Sequence, residues 1–370
     1  MSRKRKIIKW SLIIFASLIV SLVSFGYWFM SLLEPTDPTS QNIENTTIED
    51  LPYITNSQPP PRGRILAVVT SHAVMGETEK STGYELTELA RAYYVFLANG
   101  FEVDVASPQG GKPPVVIDDD DMGEFDYAFL NDREAQSKVN NTINIKDIQS
   151  EDYEAVYFVG GKGAMFDFPN NKHIQTIVRE YYEAGKVIGA VCHGPAALVN
   201  VRLSDGSHLL KGKTVSAFTN EEELFLIENA PEIFPFLLQD KLIENGAKFN
   251  EGLMYLEKVS QDGKLITGQN PWSVWAMAEQ LVQQLGYEPK KRIKTGEENA
   301  VKVLNTFEHE GYAQAKATIT NLIGARQSPL NRELIAIHSI VAAMQWDLIR
   351  AVKLIGLLYH AKSQSQVYVK

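Results

Sequence analysis

Cys192 is the only cysteine in a chain of 370 residues. It ends the apolar run from Val187 to Val191 and is followed by His193, Gly194 and Pro195. The pattern reads as a strand, an abrupt turn through the cysteine and the start of a helix, an elbow that presents a nucleophile at a strand end. A helix N-terminus behind the turn is expected to stabilise a thiolate and bring the thiol below the free-cysteine pKa of about 8.5. His193 supplies a base or an orienting group, and Gly194-Pro195 fits the first turn of a helix. The competing reading is a lone buried cysteine acting as a small hydrophobe. One cysteine makes no internal disulfide, so packing alone must stabilise the fold.

Gly160-Gly161-Lys162-Gly163 follows a second apolar run directly. Small residues there let backbone N–H groups face a developing oxyanion, with Gly161 as one donor and the His193 amide as the other. A phosphate-binding loop would need a Walker spacing that is missing. The acidic run from Asp118 to Asp121 lacks the alternation and glycine of a calcium loop and reads as a solvated turn. Neither a metal nor a cofactor is expected. The net charge of −9 argues against a nucleic-acid partner, because beyond the first ten residues no basic stripe offsets it. With 44% hydrophobic and 22% charged residues the chain can build a sizeable globular core.

The elbow resembles that of the ThiJ/PfpI superfamily, cysteine-dependent relatives of class I glutamine amidotransferases. Further matches follow in the family's order: Arg64–Thr70, Ser81–Ala90, Gly100–Gly111, Asp152–Gly163 and Thr214–Glu223. The resemblance covers residues 63–288 and is closest to the branch of glyoxalase III, heat-shock chaperones and protein deglycases. It implies a glutamate on the first helix, here Glu88, sharing a proton with the cysteine. Glu88 lies among Leu86, Leu89 and Ala92 on the apolar side of that segment, and Glu85 falls off the stripe. It also implies an acid that orients His193 within Phe218–Glu223. Glu223 fits one branch and the position of Asn220 fits another, with Glu221 and Glu222 left open between them. His72, near the end of the first strand, and Trp272 are candidates for the pocket wall. His309, His338 and His360 read as ordinary residues of a helical extension.

The region from Gly63, which must position these groups, alternates short β-branched runs with helical segments, the pattern of a parallel sheet with crossover helices. Strands are expected at Ile65–Thr70, Phe101–Ala106, Ala155–Val159 and Val187–Val191, with a hairpin of Tyr255–Val259 and Leu265–Thr267 about Asp262-Gly263. Helices are expected at Glu85–Asn99, Asn171–Ala184 and Ser273–Leu285. The fold class is thus a flavodoxin-like α/β three-layer sandwich with a mostly parallel sheet, carrying an N-terminal transmembrane helix and a C-terminal all-helical extension.

The basic start, with Arg3, Lys4, Arg5, Lys6 and Lys9, precedes an uncharged apolar run from Trp10 to Leu33. That run can span a bilayer and is longer than a signal-peptide core, so residues 1–33 read as an uncleaved signal anchor. The positive-inside rule then puts the rest of the chain on the extracytoplasmic side. Residues 34–62 read as a Pro-bearing spacer, 63–288 as the catalytic domain and 289–370 as the helical extension, with Lys290–Lys294 at the boundary.

The resemblance implies cofactor-free conversion of methylglyoxal to D-lactate, or removal of related adducts from glycated protein, through a Cys192 thiolate, and a homodimer. A Cys-dependent amidase or peptidase is the rival enzyme. A membrane-anchored chaperone or binding protein, docking through the C-terminal helices, is the rival without catalysis.

Overall fold

Runs of β-branched and apolar residues, broken by glycine and polar turns, form eleven strands among the described residues. They are β1 Arg64–Val68, β2 Tyr84–Glu85, β3 Glu102–Ser107, β4 Val115–Val116, β5 Ile143–Asn144, β6 Ala155–Phe158, β7 Val187–Val191, β8 Thr214–Val215, β9 Lys248–Phe249, β10 Val259–Asp262 and β11 Leu265–Gly268. Seven of them make one sheet in the order β10-β11-β7-β6-β1-β3-β5. Every pairing in it is parallel except that of edge strand β10 with β11. The computed structural model describes residues 3–33, 40–118, 122–325 and 328–368. Of the acidic run, Asp119, Asp120 and Asp121 lie outside them.

β6 and β7 are buried along their whole length, as their near-continuous apolar sequences require when both faces are covered. Alternation along β7 shows how. Ile188 and Ala190 join a core with Ile174, Ile177, Val178 and Tyr181 of the helix Lys172–Glu183. Gly189 points the other way, where an added Cβ would lie 2.8 Å from Leu281 Cδ1 of the helix Val274–Gln284. Helices therefore sandwich the sheet. The helix Leu86–Ala98 is buried at every position but Leu97, so an acid within it is removed from water.

Three expectations differ locally. The hairpin's first strand begins at Val259 rather than Tyr255, because Tyr255 sits at φ +56°, outside extended backbone. The segment after the elbow is a short 3-10 turn, Gly194–Leu198, and not the start of an α-helix. Within the stretch expected as a spacer, residues Ile48–Asp50 and Pro52–Thr55 form helical turns with Leu51 and Ile54 buried.

The chain divides into two compact units. One is Asn42–Arg292, the α/β unit; the other joins Met1–Gln41 with Ile293–Lys370. The second contains the helices Gly296–Glu310, Tyr312–Thr320, Arg332–Met344 and Leu348–Tyr368. They close a core that includes Leu304, Ile335, Leu354 and Leu358. Thr295 and Glu298 start the first of them with a reciprocal capping box. The same unit holds the helix Arg3–Met30. Its stretch Leu12–Met30, 19 residues, is long and apolar enough to cross a membrane. Lys362 Nζ donates to Ser31 Oγ at 3.2 Å.

The elbow is packed directly onto β6. A Cβ placed on Gly194 would meet the Phe158 carbonyl oxygen at 2.3 Å and its carbon at 3.0 Å, and main chain inside a sheet does not yield. Gly194→Ala is therefore expected to lower stability by at least the ~1–3 kcal/mol of an overpacked core, read from the urea midpoint. An unchanged midpoint would mean that the elbow can move off β6.

Candidate active site

Cys192 adopts φ +57°, a left-handed conformation that costs a non-glycine residue about 1–3 kcal/mol. Two hydrogen bonds hold it there: Cys192 N–H donates to Gly268 O and Phe218 N–H donates to Cys192 O, both at 3.0 Å. The bend sets the thiol at the C-terminal end of β7, where only 5% of the residue is exposed.

His193, the next residue, is almost wholly buried, with its ring against Phe218 at 4.7 Å between centroids. Its Nδ1 lies 3.3 Å from Cys192 Sγ and its Nε2 lies 2.6 Å from Glu223 Oε2. Burial acts to raise the Glu223 carboxyl, but its electrostatic and hydrogen-bond interactions with His193 hold it below the usual value. An ionised Glu223 assigns the proton to Nε2, which donates to Oε2. Nδ1 is then left as acceptor for the thiol hydrogen.

Glu88 approaches from the helix Leu86–Ala98. Its main-chain oxygen accepts from Tyr157 Oη–H at 2.8 Å, and its Oε2 accepts from Gly160 N–H at 2.8 Å. A Cβ built on Gly160 would touch both Glu88 Oε2, at 2.4 Å, and Cys192 Cβ, at 2.8 Å. The carboxyl and the thiol side chain therefore converge over that glycine. Burial, then the Glu85 carboxylate, push the Glu88 acid well above the ordinary range, against hydrogen bonds from Cys192 and Gly160.

The three consecutive glutamates separate cleanly. Glu221 is exposed. Glu222 is buried and points away from the histidine. Its Oε2 accepts from the N–H and hydroxyl of Thr219. Its Oε1 accepts from Tyr255 N–H, Gln269 Nε2 and Asn270 Nδ2. Glu222 thus clamps the start of the helix Asn220–Leu226 to two neighbouring loops, and the next residue, Glu223, is carried to His193. Asn220 donates from Nδ2 to Asp240 Oδ1 at 2.7 Å, so its side chain is engaged elsewhere.

Among the described residues no backbone carbonyl takes the N–H of Gly161 or of His193. His72 stacks on Phe166 at 4.5 Å. Phe166 packs near Phe234, and Phe234 near the His193 ring. Trp272 packs 5.6 Å from the Tyr255 ring, on the side of the Glu222 clamp. Both carry a buried nitrogen, His72 Nε2 and Trp272 Nε1, with no protein partner. Sequence reading missed the Glu222 clamp, although Thr219-x-x-Glu222 carries the spacing of a capping box.

The expected lowering of the thiol pKa is corrected by this geometry. Burial, followed by the Glu88 carboxylate, pushes the Cys192 thiol well up, and Lys162 opposes this only in part. The turn behind the elbow is too short to offset burial. Iodoacetamide should accordingly alkylate Cys192 with an apparent pKa above about 8.5. Glu88→Gln, which removes a carboxyl that is protonated near neutrality and opposes the thiolate once it ionises, should move that pKa down. An apparent pKa that stays put in the variant would separate Glu88 from the thiol.

Known proteins carry the same arrangement of chain. A DJ-1/PfpI family profile matches residues 80–223, a span that runs from ahead of Glu88 through Glu223. A glutathione-independent glyoxalase of Schizosaccharomyces pombe is 32% identical over 216 residues, covering 56% of this chain and 90% of that protein. Glyoxalase 3 of Candida albicans is 28% identical over 235 residues, 59% of this chain and 96% of its own. Among solved structures, the Rapid Encystment Protein 24 kDa of Francisella tularensis is 36% identical with a TM-score of 0.58, over 60% of this chain and 99% of that one. The structure of glyoxalase III from Candida albicans is 26% identical with a TM-score of 0.55, over 60% and 97%. A relative this similar over nine-tenths of its length makes the chain a member of the DJ-1/PfpI family.

Proposed function

We propose that the α/β unit is a cofactor-independent glyoxalase of the glyoxalase III type, converting methylglyoxal and water to D-lactate through Cys192. The observation that carries this reading is the convergence of a base, His193, and a separate buried acid, Glu88, on one thiol. Relatives named as glutathione-independent glyoxalases support it.

Cys192 Sγ adds to the aldehyde carbon, and its proton passes to Nδ1 of His193, whose new charge faces Glu223. The adduct oxygen is held by the N–H groups of Gly161 and His193. Glu88, protonated at rest because it is buried, gives its proton to that oxygen and becomes a carboxylate. It then removes the hydrogen from the same carbon and returns it to the adjacent one through an enediol, while the hydroxyl proton of the adduct passes to the second oxygen. The first carbon is oxidised and the second reduced within one molecule, so no external redox partner is needed. Water then cleaves the resulting thioester: its hydroxyl joins the carbonyl carbon, the sulfur leaves with the proton held by His193, and the other water proton returns to Glu88, releasing lactic acid, which ionises to lactate.

A second reading rests on a different observation. The helices Arg332–Met344 and Leu348–Tyr368 and the turn between them expose seven large apolar side chains, Ile337, Ile340, Met344, Trp346, Leu348, Ile349 and Val352, and exposed apolar surface of this kind can bind partners. It supports a chaperone or docking role beside catalysis.

One pair of variants separates the two. Glu88→Gln keeps the side chain's shape and should lower D-lactate formation by about 10²–10⁴-fold, the contribution of a general acid–base group, while suppression of client aggregation survives. Trp346→Ser with Ile349→Ser should do the reverse. Wild-type protein with reduced Cys192 that makes no lactate would end the glyoxalase reading.

The same proposal places the α/β unit on the extracytoplasmic side of a membrane, anchored by Leu12–Met30, with the basic start inside. A reporter active only outside the cytosol, fused after Lys370, should be active. Activity of a cytosolic reporter alone would reverse the topology.

A further inference from the structure

Gly161 can offer its N–H to an adduct on Cys192 only while the loop that carries it is held in place. At the front of that loop, Gly160 O accepts from Glu85 N–H at 3.2 Å, and Gly160 N–H donates to Glu88 Oε2. Beyond Gly160 the chain curls into the short helix Ala164–Asp167. Among the described residues the main-chain hydrogen bonds of residues 161–166 stay within 161–168. Ala164 N–H donates to Gly161 O, Met165 N–H to Lys162 O and Phe166 N–H to Gly163 O. Asp167, at the end of the turn, reaches out of it. Its Oδ1 accepts from Thr70 Oγ1–H and its Oδ2 from Ser71 N–H, both at 2.7 Å. Thr70 and Ser71 lie in the turn that leaves β1, the parallel neighbour of β6. Thr70 Oγ1 also accepts from His72 N–H at 2.9 Å, and Ser71 Oγ accepts from Gln109 N–H at 3.1 Å, just past β3. The Asp167 carboxyl, with Thr70 and Ser71, thus ties together the exits of three adjacent strands, β6, β1 and β3. The two turns are in close contact, since a Cβ on Gly163 would lie 2.7 Å from Thr70 Cγ2 and 2.8 Å from His72 O. Burial raises the Asp167 acid to about 6, against the hydrogen bonds of Thr70 and Ser71. At neutral pH it is therefore an anion that accepts at both oxygens.

Ala164 and Met165 pack the turn onto the core, but apolar packing is non-directional. Hydrogen bonds to a carboxylate are directional and stronger than neutral ones, and here they come from a neighbouring strand exit. We infer that Asp167 is a positioning residue of the Cys192 site: through Thr70 and Ser71 it sets the direction in which the Gly161 N–H meets the adduct oxygen. It touches no reacting group itself. The inference rests on the reading of Cys192 as a nucleophile served by that N–H, and it adds the tie that aims the donor. Such a donor contributes fully only within about 2.7–3.1 Å of the oxygen it stabilises, so a small rotation of the turn is enough to weaken it. Phe166, one residue before Asp167, stacks on His72 and packs near Phe234, which lies near the His193 ring. The same tie therefore also steadies the aromatic wall beside the base.

Protection of Cys192 from iodoacetamide by propanal, measured on the full chain, tests this without turnover. Propanal adds reversibly: Sγ bonds to the carbonyl carbon, His193 takes the thiol proton, and the carbonyl oxygen receives a proton from Glu88. Thr70→Val keeps the side chain's shape and removes the hydroxyl, and Asp167→Asn keeps the shape and leaves one acceptor oxygen. Both should raise the propanal needed for half-protection by about three- to thirtyfold, short of the ~10²–10³ of losing an oxyanion donor outright. Thr70→Ser, which retains the hydroxyl, should behave as wild type. The rate with iodoacetamide alone should be the same in all of them, because displacement of iodide builds no oxyanion; if Asp167→Asn does not fold, Thr70→Val carries the comparison. Half-protection at the wild-type concentration in Thr70→Val and Asp167→Asn would overturn the inference and leave the nucleophile reading intact. A loss in Thr70→Ser equal to that in Thr70→Val, or an iodoacetamide rate shifted by the same factor as the protection, would reduce Asp167 to a structural residue and overturn it too. Wild-type protein with reduced Cys192 that propanal does not protect would overturn the nucleophile reading and this inference together.

Discussion

The left-handed turn at Cys192 is the constraint around which the α/β unit is arranged. A non-glycine residue keeps φ near +57° only where its surroundings leave it no alternative. Here the N–H is fixed by Gly268 of β11 and the carbonyl by Phe218 of the segment that leads to Glu223. β7 itself is sealed between β6 and β11, so the strand cannot slide to relieve the bend. The close approach of Gly194 to the Phe158 carbonyl blocks the other direction. The same hydrogen bond that holds the cysteine also brings in the segment bearing the acid of His193. Strain at Cys192 and assembly of its partners are therefore one structural event.

The two carboxyls of the site are driven in opposite directions by what faces them. Both are buried, which by itself favours the neutral form. Glu223 meets the imidazole of His193 and stays ionised. Glu88 meets a thiol, a backbone N–H and another carboxylate, Glu85, and is pushed toward protonation. Environments that push like groups apart leave one carboxyl neutral and the other ionised without any difference in residue type. The Glu222 clamp matters here although it touches no reacting group. By taking five hydrogen bonds from Thr219, Tyr255, Gln269 and Asn270, it sets the rotation of the helix turn that aims Glu223 at His193.

Much of this was legible in the chain because buried parallel strands write themselves as apolar runs. Val187–Val191 was read with the bounds the structure has, and the elbow, the helix of Glu88 and the glycine loop followed from it. Period alone could not choose among Glu221, Glu222 and Glu223, since all three occupy one helical turn and only tertiary partners distinguish them. The rise of the thiol was missed for a related reason. A local pattern announces a helix N-terminus, but burial is a property of the packed chain, and it outweighs a turn of five residues. Tyr255 reads as strand because aromatic residues favour strands, whereas its backbone N–H is bound by Glu222 in a conformation no propensity predicts.

Burial also bears on what can reach the sulfur. With 5% of Cys192 exposed and His193, Glu88 and Phe218 packed about it, the site favours a compact carbonyl compound over a main chain. A peptidase must seat several residues of extended substrate on either side of its nucleophile, which calls for an open groove. An amidase or glyoxalase needs space for only a few atoms. A glycated side chain lies between these limits, because a flexible arm could present its small adduct while the rest of the protein stays outside. The enclosure also serves the chemistry in the proposal. An enediol and a thioester both survive longer where water enters one molecule at a time, and a buried acid such as Glu88 keeps the pKa it needs only while bulk water is kept out. A groove wide enough for a peptide would surrender both, so the depth of the thiol weighs against the peptidase among the rival enzymes.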